Sequence, residues 1–227
     1  LIESLEGKRG QPRSKPPFPA VQGLFQKPTV VQNVETLCNV PYIVNNGVDW
    51  YKAMGSVYKD CPRGTDPVNS GTKLYCISGH IEKPGVYEVE MGLTANELIE
   101  LAGGVRGGNR LKAVIPGGSS APILTPYECD VPLDFTSLQM AKTMMGSGGV
   151  IVMDETVCMA HALTNLLDFY AHESCGQCTP CRNGTPWARD ISKRIEQGLG
   201  EPGDVDRLIE VANNIANVDT FTWNTIC

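Results

Sequence analysis

Residues 73–118 run KLYCISGHIEKPGVYEVEMGLTANELIELAGGVRGGNRLKAVIPGG. KLYCISGHI and GVYEVEMG alternate enough to form a pair of half-buried strands, with Glu82, Lys83, Pro84 and Gly85 as the turn between them. TANELIELAGG then changes to helical spacing, with Thr94 placed to cap, Leu98 and Leu101 on one face and Gly103 as terminator. KAVIPGG returns to a strand that ends in a glycine turn. Strand, strand, helix, strand in so short a stretch predicts a compact β-grasp-like module, and with it an α+β fold.

On the amino-terminal side, QPRSKPPFPAVQG is proline- and lysine-rich and reads as extended chain. A helix is expected from about Asn33, which can cap it, with Val34, Leu37, Tyr42 and Val44 on its apolar side; Pro41 is expected to bend or interrupt it. DCPRGTDPVNSG, rich in turn formers, reads as a linker. On the carboxyl side, the chain from about Val150 reads as helical. Val157, Ala160, Leu163, Leu166, Leu167 and Tyr170 make one stripe, and Trp187, Ile191 and Ile195 repeat every four residues before Gly198. Asp204 can cap a last helix in which Val205, Leu208, Ile209, Ala212 and Ile215 face inward. Three short amphipathic helices are expected to bundle around whatever the cysteines hold.

Composition narrows the functional classes. Apolar residues make up 41% of the 227 and charged residues 19%, proportions of a globular chain. No stretch approaches the ~18 to 20 consecutive apolar residues of a membrane span, and the opening residues lack the layout of a signal peptide, so no direct membrane insertion is expected. The net charge of -6 is uneven: Lys8, Arg9, Arg13, Lys15 and Lys27 make the opening segment basic, while the end of the chain is acidic. A basic opening can face a phosphate-bearing ligand or lie as a solvated arm. An acidic end argues against nucleic acid as a partner.

Nine cysteines, three of them within ESCGQCTPCRNGTPW at 173–187, fit no even disulfide framework and point to metal binding in a reducing compartment. Cys38, Cys61, Cys76, Cys129 and Cys158 stand singly and read as small buried hydrophobes. Cys175, Cys178 and Cys181 form C-x2-C-x2-C, and Cys227 supplies a distant fourth thiolate. One tight loop can wrap three corners of a cuboidal 4Fe-4S cluster and leave the fourth to a remote ligand. Tetrahedral zinc more often takes two ligands from each of two knuckles, and a zinc-stabilised interaction module is the alternative class. His161 and His172 flank the triplet and read as ordinary hydrogen-bonded histidines rather than ligands.

The 173–187 run is similar to the signature of the NADH- and FMN-binding F subunit of respiratory complex I, an NADH:quinone oxidoreductase flavoprotein. SLEGKRGQPRSKPPFPAVQGLFQKPTVVQNVETL at 4–37 agrees as well, and 73–125 resembles that family's SLBB, ubiquitin-like domain. The resemblance implies three parts: 1–66 as the carboxyl-terminal remnant of an FMN/NADH-binding domain, 67–130 as the SLBB domain, and 131–227 as a truncated helical 4Fe-4S-binding domain. It also implies a reaction, in which NADH reduces FMN and electrons pass to the 4Fe-4S cluster and onward toward quinone. By resemblance Val31, Gln32, Asn33 and Thr36 sit at FMN-contact positions, with Lys15 near flavin and nucleotide. From the residues alone, Asn33 and Thr36 read as helix caps. Expected partners are the other peripheral-arm subunits, especially the small 2Fe-2S (E) and large iron-sulfur (G) subunits, on the cytoplasmic or matrix side of the membrane.

Three features depart from that pattern. Gln32 stands where the family commonly has Asn. The interval from Cys181 to Cys227 is longer than usual, with IANVDTFTWN as the apparent insertion. The glycine-rich FMN and NADH site is missing, so the chain is expected to be a carboxyl-terminal fragment, inactive alone. Diaphorase subunits of NAD-linked hydrogenases and formate dehydrogenases look alike over these modules and remain the neighbouring alternative.

Overall fold

A computed structural model describes residues 1–59 and 68–216. The chain divides into two compact units: Asn33–Val157, and Leu1–Gln32 together with the residues from Cys158 on. In chain order the elements are α1 (Ile2–Leu5), α2 (Val34–Asn46), α3 (Val48–Lys52), β1 (Gly55–Val57), β2 (Val68–Ser70), β3 (Thr72–Gly79), β4 (Gly85–Glu90), α4 (Ala95–Leu101), β5 (Leu111–Ile115), α5 (Phe135–Met140), β6 (Gly149–Asp154), α6 (Met159–Glu173), α7 (Thr179–Glu196) and α8 (Asp204–Ile215).

In the Asn33–Val157 unit the expected module is present. β3 and β4 pair antiparallel, with Tyr75 opposite Tyr87, and α4 starts at a reciprocal capping box. Thr94 Oγ1 accepts from Glu97 N at 3.1 Å, and Thr94 N donates to the Glu97 carboxylate at 2.7 Å. The helix ends where Gly103 and Gly104 take left-handed φ of +87° and +86°, and Gly104 N returns to Ile99 O at 2.9 Å. Leu98 and Ala95, both with no exposed surface, then pack with Tyr75, Ile77, Leu124, Leu133 and Leu138 in one core.

The sheet order β4-β3-β6-β5 corrects the expectation of helix from Val150. GVIVMD is a strand, parallel to β3 with Cys76 opposite Gly149 and antiparallel to β5 with Val114 opposite Val152. It lies in the sheet interior with Val150 and Val152 fully buried, so its residues are apolar in succession and lack the alternation that marks a half-exposed strand. Two smaller expectations also change. α2 continues through Pro41, and part of the expected linker, Val68–Ser70, pairs with β1. The linker's residues 60–67, Cys61 among them, lie outside the described residues.

β6 closes on an anchored carboxylate. Asp154 is 3% exposed and accepts from Thr156 Oγ1 at 2.6 Å, Asn109 Nδ2 at 2.8 Å and Thr156 N at 2.9 Å, with His80 Nδ1 at 2.7 Å. The Thr156 hydroxyl first, and then the Asn109 amide, hold its carboxyl well below the usual range against the opposing pull of burial.

In the other unit α7 packs between α6 and α8. Its inward side is built of small residues, with Gly184, Thr185, Ala188 and Ser192 buried, while Trp187, expected on the inner row, is 61% exposed. A Cβ at Gly184 would stand 2.9 Å from Ile215 Cδ1 and 3.2 Å from Val211 Cγ1, so the glycine lets α8 close onto α7. Thr164 of α6 and Ser192 of α7, both buried, join their hydroxyls at 2.8 Å. Leu163, Val205 and Ile209, also expected to face inward, are exposed. Asp204 is the first residue of α8 rather than its cap. It ties to Arg194 and accepts from Glu201 N at 2.8 Å.

Candidate metal centre

The C-x2-C-x2-C stretch occupies the junction between α6 and α7. Ser174 ends α6, Cys175 and Gly176 make the turn, Cys178 is the N-cap residue of α7 and Cys181 lies in its first turn. Gly176 takes a φ of +75°, a conformation that side chains resist, and it lets the chain reverse between the first two cysteines. Pro180 occupies the first turn, where its missing N–H costs no helical bond. All three thiols are partly exposed and free.

Four side chains brace the turn. Arg9 Nη2 donates to Cys175 O at 3.1 Å across 166 positions of sequence, and Arg182 Nη1 donates to Gly176 O at 2.9 Å. Ser174 Oγ stands 3.4 Å from Cys181 Sγ and accepts from Gly176 N at 3.4 Å. Thr185 Oγ1 donates to Cys181 O at 2.9 Å. The N-terminal amides of α7 direct the positive end of its dipole at the three cysteines, favourable for an anionic group held there.

The donor set fits a cluster. Three soft thiols on one turn at the positive end of a helix are the ligands iron-sulfur clusters take, with the Ser174 hydroxyl already beside Cys181 Sγ. Among the described residues, no group of three or more His, Cys, Asp or Glu side chains is arranged to hold a metal ion. Cys227, the expected fourth ligand, lies outside the described residues, as does most of the IANVDTFTWN insertion. α8 nevertheless brings the chain to Ile215 against Gly184, three residues after Cys181. His161 Nδ1 lies 2.5 Å from Glu196 Oε1 and His172 Nδ1 2.9 Å from Glu173 Oε1, both exposed.

The flavin candidates are placed as follows. Lys15, Val31 and Gln32 are exposed in the opening segment, Leu1–Gln32. In the other unit, Asn33 Oδ1 accepts from Glu35 N at 2.8 Å as the cap of α2, and Thr36 is exposed in the first turn. Burial alone would raise the Glu35 carboxyl, but the Lys73 ammonium and the Leu74 N–H outweigh it and hold it below the usual range. That pair fixes the start of α2 to β3, with Leu74 N donating to Glu35 Oε1 at 2.8 Å. Sequence reasoning missed Glu35, Ser174 and Arg182. Only the basic opening hinted at Arg9. Of the lone cysteines, Cys38, Cys76 and Cys158 are exposed, against expectation. Cys129 is buried, and burial pushes its thiol up to about 11.

Comparison with known proteins gives two regional matches. The family described as NADH-ubiquinone oxidoreductase-F iron-sulfur binding region matches residues 161–227, and the SLBB domain matches 73–152. The NADH-quinone oxidoreductase F subunit of Mycobacterium bovis is 47% identical over 95% of this chain and 46% of its own length. The corresponding F subunit of Rhizobium meliloti, the one numbered 2, is 48% identical over all of this chain and 50% of its own. The crystal structure of an NAD+-reducing [NiFe]-hydrogenase in the H2-reduced state superposes with a TM-score of 0.83 at 35% identity, covering all of this chain and 36% of the other. The chain thus spans about half the length of the curated relatives it matches.

Proposed function

Since this chain belongs to the family of NADH-quinone oxidoreductase F subunits, we propose that it is the cluster-bearing part of such a protein and hands electrons from a reduced flavin toward quinone. The observation that carries this reading is the thiol triplet at the start of α7, inside the matched iron-sulfur region.

Cys175, Cys178, Cys181 and Cys227 would hold a 4Fe-4S cluster, which when bound supplies a one-electron carrier beside a flavin that takes two electrons from NADH. The chain's own groups prepare that place. Ser174 Oγ, the donor once Cys181 is a thiolate, stabilises charge on its sulfur. Lys15 offers a cation for phosphate, Val31 and Gln32 backbone and amide contacts, Asn33 an amide NH2 and Thr36 a hydroxyl for FMN. We assign residues 1–66 to the flavin side, 67–130 with the strand β6 that completes their sheet to the SLBB domain, and the helical remainder of 131–227 to the cluster side as functional parts. The E and G subunits of a peripheral arm, on the cytoplasmic or matrix face, are the partners this reading requires. Among the described residues no helix is long and apolar enough to cross a membrane.

Anaerobic reconstitution with iron and sulfide tests the reading. A brown protein with about four irons per chain and a reduced-state EPR signal of a 4Fe-4S centre is expected. A colourless protein with one zinc and no sulfide would end it. The likeness to the NAD+-reducing hydrogenase favours a second reading, a diaphorase subunit that delivers to a hydrogenase. Purification from the native source separates the two, by whether a nickel-iron subunit or a quinone-reducing arm accompanies the chain.

A further inference from the structure

A trans peptide points its carbonyl and the following N–H in opposite directions, so a side chain that holds the carbonyl also aims the amide. Arg9 holds the Cys175 carbonyl, which directs the Gly176 N–H away from the guanidinium and toward Ser174 Oγ. Arg182 holds the next carbonyl, that of Gly176, while its other terminal nitrogen lies 3.3 Å from Thr179 Oγ1 and anchors it to α7. Ser174 Oγ completes the line at Cys181 Sγ. With Cys181 deprotonated as a ligand, the hydroxyl can only donate to the sulfur. The sequence is then guanidinium to carbonyl, amide to hydroxyl, hydroxyl to thiolate, and each donor polarises the next.

We propose that Arg9 and Arg182 are positioning residues for the cluster: both clamp the ligand turn, and Arg9, through the Gly176 amide and the Ser174 hydroxyl, raises the reduction potential at Cys181. The proposal rests on the cluster reading above and goes beyond it, since neither arginine is a ligand and Arg9 comes from the opposite end of the chain. Reduction adds negative charge to the cluster, so cations and hydrogen-bond donors directed at its ligands favour the reduced state. An exposed arginine needs no such bond for its own stability. Two of them on consecutive carbonyls of the ligand turn bear on the turn itself.

The test uses the whole flavoprotein subunit that contains this chain, reconstituted anaerobically with iron and sulfide. Arg9→Gln and Arg182→Gln are expected to lower the cluster's midpoint potential in a redox titration and to shift the EPR line shape. Loss of iron from either variant with an unchanged thermal melt also supports the clamp. Full iron content with wild-type potential and line shape in both variants overturns it. Should the arginine variants lose their fold, Ser174→Ala decides: a lower potential at full iron content supports the relay, and an unchanged one sinks it. If the wild-type protein takes up neither iron nor sulfide, the cluster reading itself has failed, an outcome distinct from failure of the clamp.

Discussion

Cys178 caps α7 without a side-chain hydrogen bond, so its thiol contributes little to helix stability and can be removed cleanly. Cys178→Ala is expected to keep the thermal melt within about 0.5 kcal/mol of wild type while losing most of the reconstituted iron; equal iron by elemental analysis would take Cys178 out of the ligand set. Asn33 poses the opposite problem, because its carbonyl oxygen already caps α2. Asn33→Ser keeps a capping oxygen and removes the NH2 without adding a charge. In the whole flavoprotein it is expected to leave the melt unchanged and weaken FMN retention, read by flavin fluorescence; unaltered retention would leave Asn33 a cap alone. Asp154 gives a pH signature. Its folded carboxyl titrates below the ordinary value of about 3.9, so its stabilising contribution is present in full above that pH and is lost as the pH falls further. The stability gap between wild type and Asp154→Asn, followed by thermal melts, should therefore narrow as the pH falls below about 4.

At the level of elements, what was legible depended on whether a local signal survived burial. β3, β4 and α4 were readable because one side of each meets solvent, leaving alternation in the strands and a capping box and glycine stop around the helix. β6 was not, since a strand enclosed by two neighbours shows a continuous apolar run that a buried helix shares. The thiol triplet was readable from spacing alone, whereas its braces were not: the bond from Arg9 to Cys175 joins positions that only the fold brings together. The helix faces around the triplet failed for a packing reason. α7 approaches α8 through Gly184, and small residues give an apolar stripe nothing to display. Gly184→Val is accordingly expected to cost about 1–3 kcal/mol by denaturant titration, from overpacking against Val211 and Ile215. Leu98→Ala, which empties the centre of the other core, should cost about 2–5 kcal/mol.

For the molecule as a whole, the chain spans about half the length of its relatives, and the flavin contacts proposed for it lie along one segment and the start of one helix. By itself it is expected neither to retain FMN through gel filtration nor to oxidise NADH with an artificial acceptor; measurable diaphorase turnover would place the flavin site within these residues. The position of β6 sets a further condition on how the molecule is made. β3 is synthesised well before its parallel neighbour β6, which lies further along the chain. While a ribosome is still short of residue 154, β3 therefore presents an unpaired edge, and nascent chains arrested before that point should be captured by holdase chaperones and cut readily by protease. Emergence of all of β6 from the ribosome should allow the sheet to close and protection to appear in a single step.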